Sequence, residues 1–145
     1  MELTYNVSDE SQLNDIAIEL LNKFDSKLYF FYGEMGVGKT TFIKYLINII
    51  QKENKIEQTE ITSPTFNLLN EYQINKININ HYDLYRLKSA QELKNLELFE
   101  NSKSLITLIE WPQIIKEKPE NLIELFFKYE DDYKKRSVKI KGLDL

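Results

Sequence analysis

The segment Gly33-Glu34-Met35-Gly36-Val37-Gly38-Lys39-Thr40 constrains this chain more than any other. It matches the pattern G-x-x-x-x-G-K-[ST], and three of the four glycines in 145 residues lie inside it. Leu28-Tyr29-Phe30-Phe31-Tyr32 precedes it, a short and nearly continuous apolar run suited to a strand buried on both faces. Thr41 to Gln51 follows, with Phe42, Tyr45, Leu46, Ile49 and Ile50 on one apolar stripe at helical spacing. Strand, glycine-rich turn and helix form the context in which this pattern makes a phosphate-binding loop rather than an ordinary turn. Inward-turned backbone N–H groups and the positive end of the helix make a concave anion site, and glycines keep side chains out of it. Gly33 to Thr41 is therefore the expected nucleotide cradle. In it Lys39 reaches the β- and γ-phosphates as a point charge, the Thr40 hydroxyl suits Mg²⁺, and Thr41 starts the helix.

The remaining pattern reads as one continuous domain over residues 1–145, with no internal repeat and no Pro/Gly/Ser linker. Leu3 to Val7 alternates like a short strand. Ser8-Asp9-Glu10-Ser11 offers capping side chains to a helix carrying Leu13, Ile16, Ala17, Leu20, Leu21 and Phe24. Phe66 to Ile74 and Ile77 to Tyr82 predict a strand pair around the Asn75-Lys76 turn, followed by a short helix from Ser89 to Leu98. Leu105 to Ile109 is a second buried strand, ended by Glu110-Trp111-Pro112 because proline cannot donate to a ladder. Leu122 to Tyr129 and Ser137 to Ile140 predict a terminal hairpin across the charged turn Glu130 to Lys135. The fold class expected is α/β: a P-loop NTPase fold with a central, mostly parallel sheet flanked by helices and an antiparallel C-terminal hairpin.

Composition narrows the chemistry. Nineteen Lys and Arg against twenty-three Asp and Glu give a net charge of −4, which argues against a protein whose main task is neutralising phosphate backbones. With no cysteine there is no disulfide framework, thiol nucleophile or iron–sulfur ligation, and the single His81 cannot build a His-rich metal site. The first residues lack a basic region followed by an apolar stretch, and no apolar run approaches the ~20 residues of a membrane span. A cytoplasmic protein with no membrane contact, monomeric when alone, is expected.

A phosphate loop alone binds nucleotide, whereas hydrolysis also needs an acid near Mg²⁺ and a group that positions water. Two carboxylates compete for those roles. Glu110 ends a buried strand, where a parallel sheet delivers its last side chain to the ligand edge, and Asp83 follows another strand in His81-Tyr82-Asp83-Leu84-Tyr85-Arg86. The plainer, lesser reading of each is the first solvated residue after a strand. Ser63-Pro64-Thr65-Phe66 is either a nucleotide-sensing loop that offers a hydroxyl or an ordinary Ser-Pro turn. Arg86 and Arg136 are the only arginines beside seventeen lysines, and a planar guanidinium is not replaceable by lysine at a bidentate site. His81 is expected as a packed or hydrogen-bonded histidine, and Trp111 as packing against the sheet edge. The Lys134-Lys135-Arg136 cluster with Lys139 and Lys141 reads as a solvated strand edge, with RNA contact as the lesser reading.

Taken in order, the phosphate loop with Thr41, then Ser63-Pro64-Thr65-Phe66, His81-Tyr82-Asp83-Leu84-Tyr85-Arg86-Leu87 and Ile109-Glu110-Trp111-Pro112 resemble the bacterial TsaE (YjeE) family over nearly the whole chain. The resemblance implies a small P-loop ATPase that supports the TsaB–TsaD complex in making threonylcarbamoyladenosine in tRNA, meeting tRNA only indirectly through that complex. ATP and Mg²⁺ are the implied cofactors. By matching positions, Lys39 and Thr40 would hold phosphate and metal, Glu110 would complete the magnesium site, Thr65 would be switch-like, and Asp83 an essential acid. The chain departs from the family at Glu34-Met35, Val37, Leu96-Glu97-Leu98 and Gln113, none of which carries a phosphate or metal role.

Three rivals stand beside that reading. Asn22-Lys23-Phe24-Asp25 matches a guanine-reading pattern but lies before the phosphate loop, where base reading needs a loop after a later strand. A small-molecule P-loop kinase would close an arginine-bearing lid, and two arginines leave little to build one. A nucleotide-dependent binding module that scarcely turns over overlaps with the family reading.

Overall fold

A computed structural model describes residues 2–23, 27–94, 96, 98 and 105–142. The elements run β1 (Glu2–Val7), α1 (Ser11–Lys23), β2 (Leu28–Tyr32), α2 (Lys39–Glu53), β3 (Leu69–Ile74), β4 (Ile77–Asp83), α3 (Ala90–Lys94), β5 (Leu105–Glu110), a 3₁₀ turn (Pro112–Ile114), β6 (Leu122–Glu130) and β7 (Lys135–Gly142). The seven strands form one sheet in the order β1-β7-β6-β2-β5-β4-β3. Its centre, β6-β2-β5-β4, is parallel. Both flanks are antiparallel: β1 and β7 beyond β6 on one side, β3 beyond β4 on the other.

The apolar run of β2 explains its central place. Successive side chains point to opposite faces of a strand, so Phe31 joins the larger core with α1 and α2 while Phe30 enters a smaller cluster on the opposite face. Phe31, Phe42 of α2 and Phe127 of β6 lie with ring centroids 5.6 to 6.4 Å apart, fastening helix and two strands together. Across the sheet, Leu84, Leu98, Ile115 and Leu122 close the smaller cluster over Phe30 and Ile109. All six residues of β5 are buried, Thr107 and Glu110 included, as befits a central parallel strand covered on both faces. No helix among the described residues is long and apolar enough to cross a membrane.

Several expectations shift. The first strand of the β3–β4 pair begins at Leu69 rather than Phe66, because residues 65–67 form a turn and Phe66 is 86% exposed. The C-terminal basic strand is not an edge: β7 pairs with β6 on one side and β1 on the other, so its lysines stand on a sheet face and β1 is the border strand. α1 is tied at its start by Gln12, whose Oε1 accepts the backbone N–H groups of Ser8 at 2.7 Å and Asp9 at 3.0 Å. α3 is shorter than the Ser89–Leu98 expectation, of which Asn95 and Glu97 lie outside the described residues. Phe24, expected on the stripe of α1, and Asp25 of the guanine-like pattern lie outside them too.

Candidate functional site

The parallel centre aims the C-terminal ends of β2, β4 and β5 at one edge of the sheet, where open α/β sheets take their ligands. Adjacent strands place Asp83 and Glu110 in register at that edge, and the Leu84 amide donates to the Glu110 carbonyl at 3.0 Å. The Trp111 amide donates to Phe31 O at 3.3 Å, after which the chain turns away through Trp111 in a left-handed conformation, φ 56°. Pro112 then begins the 3₁₀ turn. A cleft of about 280 Å³ opens here, bounded by the glycine loop, the start of α2, the Ser63–Thr65 segment and the ends of β4 and β5.

The loop between β2 and α2 depends on glycine at two positions. At Gly33, φ 147°, an added Cβ would lie 2.8 Å from Phe127 O and 2.8 Å from Val37 Cγ1. Gly38 caps α2 with φ 119°, and a Cβ there would come within 3.2 Å of an Arg136 guanidinium nitrogen. L-residues rarely adopt such dihedrals. Glu34, Met35 and Gly36 form the exposed part of the loop. Val37 is fully buried in the larger core, and its amide donates to Glu34 O at 3.2 Å. Thr41 sits in the first turn of α2 and, with Gly36 and Gly38, borders the cleft.

Four buried ionisable side chains converge beside that loop: Lys39, His81, Asp83 and Glu110, each no more than 4% exposed. The Lys39 ammonium donates to Gly33 O and rests 3.5 Å from the Trp111 ring centroid. Burial pulls its pKa down to about 8, against the opposing pull of the Glu110 and Asp83 charges. The Thr40 hydroxyl lies 2.9 and 3.1 Å from the two oxygens of Glu110, and His81 Nε2 stands 2.6 Å from Glu110 Oε2. Asp83 Oδ2 accepts the Thr65 hydroxyl at 3.0 Å while Oδ1 accepts the Tyr85 amide at 3.0 Å. Since a hydroxyl has one proton to give, Thr65 accepts from Ser63 Oγ, 2.6 Å away.

Two carboxylates beside an anion cradle would repel phosphate unless a cation intervened. The donor set fits Mg²⁺: hard oxygens from Thr40 and Glu110, within hydrogen-bond reach of each other, suit an ion that keeps several waters and takes its other ligands from phosphate. No group of three or more His, Asp or Glu side chains that could hold a metal occurs among the described residues, and Mg²⁺ of this kind does not need one. The glycine cradle, the helix start and Lys39 fit the phosphates of a nucleotide.

The structure thus brings together Thr65, Asp83, Glu110, Lys39, Thr40 and Thr41, all along one cleft. Trp111 is not mere packing at a sheet edge: half-buried, it faces Lys39 and holds the Tyr85 ring at 4.8 Å between centroids. Arg136, seemingly remote in the terminal hairpin, lines the cleft because β7 returns its first residues past Gly38. Its only sequence signal was arginine's rarity. Arg86 is exposed and lies over the Phe66 ring at 5.5 Å, outside the cleft lining.

Known proteins extend this picture. The family model described as threonylcarbamoyl adenosine biosynthesis protein TsaE matches residues 7–138. A tRNA threonylcarbamoyladenosine biosynthesis protein TsaE from Rickettsia bellii is 47% identical over 104 residues, covering 71% of this chain and 69% of that protein. The protein of the same description from Nostoc is 36% identical over 105 residues, covering 69% of this chain and 61% of its own length, so the chain spans about two thirds of these relatives. A crystal structure of YdiB from Bacillus subtilis superposes with a TM-score of 0.70 over 98% of this chain and 86% of that one, at 21% identity, a likeness of fold.

Proposed function

The chain belongs to the TsaE family of tRNA threonylcarbamoyladenosine biosynthesis proteins, and on that footing we propose that it binds ATP with Mg²⁺ in the cleft and hydrolyses it in support of a TsaB–TsaD complex. The observation that carries this reading is the convergence of Lys39, Thr40 and Glu110 on a glycine loop at the end of β2. In this P-loop NTPase reading Lys39 is the countercharge of the terminal phosphates, and the loop amides orient them in line for attack. Thr40 and Glu110 would hold the Mg²⁺, whose chemistry when bound would be to neutralise phosphate charge. Asp83 keeps acceptor capacity beyond its bonds to Thr65 and Tyr85 and orients the attacking water. Thr65, on a turn and bonded to that same carboxylate, is the residue through which the Ser63–Thr65 segment responds to nucleotide.

Charge stabilisation of the transferring group is what the chain supplies sparingly. Of its two arginines, Arg86 lies outside the cleft lining, and Arg136, which does line it, is anchored in a strand with its guanidinium 5.8 Å over the Tyr129 ring rather than carried on a lid. An arginine finger is worth about 10³ to 10⁵ in rate in phosphoryl transfer, so the chain alone turns over slowly, on the order of minutes per ATP. The TsaB–TsaD complex raises the rate by ordering the Thr65 segment or adding groups in trans, and tRNA is met through that complex. Nucleotide and partner then favour each other's binding by the same factor. Steady-state ATPase with and without the TsaB–TsaD pair tests the proposal, together with pair affinity in ATP, in ADP and without nucleotide. Slow turnover that the pair accelerates is expected. A fast rate indifferent to the pair, with nucleotide-independent docking, contradicts it and favours a self-sufficient enzyme such as a small-molecule kinase.

A further inference from the structure

His81 is the one member of the buried cluster to which the proposed reaction gives no task. It lies on β4 two residues before Asp83, so both side chains leave the same face of the strand, and it is fully buried. Its Nε2 is 2.6 Å from Glu110 Oε2. A carboxylate only accepts, so Nε2 carries a hydrogen, and Nδ1 is buried without a hydrogen-bond partner. The ring therefore forgoes one of its two bonding sites and commits the other to Glu110. An apolar side chain would fill the same space without burying an unpaired nitrogen, so packing alone does not account for a histidine here.

We propose that His81 is a positioning residue: its Nε2–H fixes the rotation of the Glu110 carboxylate and presents the other oxygen, with Thr40, to Mg²⁺. Thr40 by itself cannot do this. Its single hydroxyl proton is shared between the two carboxylate oxygens at 2.9 and 3.1 Å, a geometry that does not single out one oxygen from the other. His81 breaks the near-symmetry by occupying Oε2, and Oε1 is the oxygen closer to Thr40. The carboxylate is then clamped from β4 and from α2 at once, the outer support that sets a metal ligand's orientation. The inference rests on Glu110 being the metal-site acid.

His81 is the only histidine in the chain, so its imidazole nitrogens give one unambiguous ¹⁵N NMR signature without nucleotide or metal. The expected spectrum is the Nε2–H tautomer with a slowly exchanging proton whose shift moves in Glu110→Gln. An Nδ1–H tautomer, or a ring signal blind to Glu110→Gln, overturns the pairing. The functional arm is a Mg²⁺ titration of ATP affinity by calorimetry, comparing His81→Gln, whose amide N–H reaches as far as Nε2, with His81→Asn, which falls short. Asn should raise the Mg²⁺ needed about 10- to 100-fold, Gln should restore most of it, and affinity in EDTA should match wild type in both. Equal behaviour of Gln and Asn overturns the proposal while leaving the metal site standing. Wild-type affinity that ignores Mg²⁺ removes the metal site itself and the proposal with it.

Discussion

Two regions of the sheet carry charge and use it in opposite ways. On the β1-β7-β6 flank the ion pairs are open to water: Lys141 meets Glu2 at 3.2 Å and Lys118 meets Glu124 at 3.0 Å, with every side chain but Glu124 at least 44% exposed. At the C-terminal ends of β2, β4 and β5, Lys39, His81, Asp83 and Glu110 are almost wholly withdrawn from solvent. Exposed pairs contribute about 0–1 kcal/mol, whereas withdrawing an ionised group from water costs several kcal/mol before any pairing offsets it. Burying ionisable groups is costly, and here the buried ones gather at the strand ends beside a glycine loop. That location and their shared bonds separate a site from a solvated surface, although the lysine-rich flank is the more conspicuous of the two in sequence.

The strongest way to break this contrast is Lys39→Ala. Loss of the main countercharge should lower turnover about 100-fold or more and weaken ATP binding, while thermal unfolding stays intact because the buried ammonium is a burden to the fold. Unchanged turnover would make the cleft as functionally idle as the flank. Next come the acids. Glu110→Gln should retain nucleotide and raise the Mg²⁺ requirement about 10- to 100-fold, whereas Asp83→Asn should slow turnover at all Mg²⁺ levels. Loss of turnover in Asp83→Asn beside wild-type behaviour of Glu110→Gln across a magnesium titration would assign the metal to Asp83 instead.

The pH dependence is a smaller and sharper test. Lys39 titrates near 8 in the folded chain, below the ordinary 10.5, so between these values the unfolded chain binds more protons. Unfolding free energy should therefore gain a contribution as pH rises from about 8 toward 10.5, and that contribution should vanish in Lys39→Ala. ATP affinity should fall over the same rise as the ammonium is lost. Urea titrations and calorimetry at stepped pH read both, and identical profiles for wild type and variant would contradict the buried, charged lysine. The smallest effect belongs to the flank: Lys141→Ala or Glu2→Ala should change stability by about 1 kcal/mol or less and leave turnover alone. A large loss of turnover from either would erase the distinction between the regions.

What was legible in the sequence follows from local patterns. The apolar runs of β2 and β5, the stripe of α2 and the Asn75-Lys76 turn mark elements through neighbours in the chain, and their bounds agree with the structure to within a residue or two. Glu110 was visible as the end of one strand and Asp83 as the residue following another, but not that the strands lie side by side in register, since periodicity tells which face a residue takes and not which strand it meets. The same gap hid β1 beyond β7, and with it the interior place of the basic strand. Arg136 and Trp111 escaped for a related reason: one reaches the cleft through a hairpin far along the chain, the other through a left-handed residue ahead of Pro112. Phe66 misled because its apolarity suggests a strand where the chain makes a turn and leaves the ring in water.

Calorimetric titration of the chain with ATP, once with Mg²⁺ and once with EDTA, tests the central claim most directly. One site of 1:1 stoichiometry, tightened by Mg²⁺ and weakened or lost in Lys39→Ala, is the predicted result. Absence of binding, or affinity that neither Mg²⁺ nor the Lys39 substitution alters, would contradict the assignment of the buried cluster to Mg²⁺ and ATP.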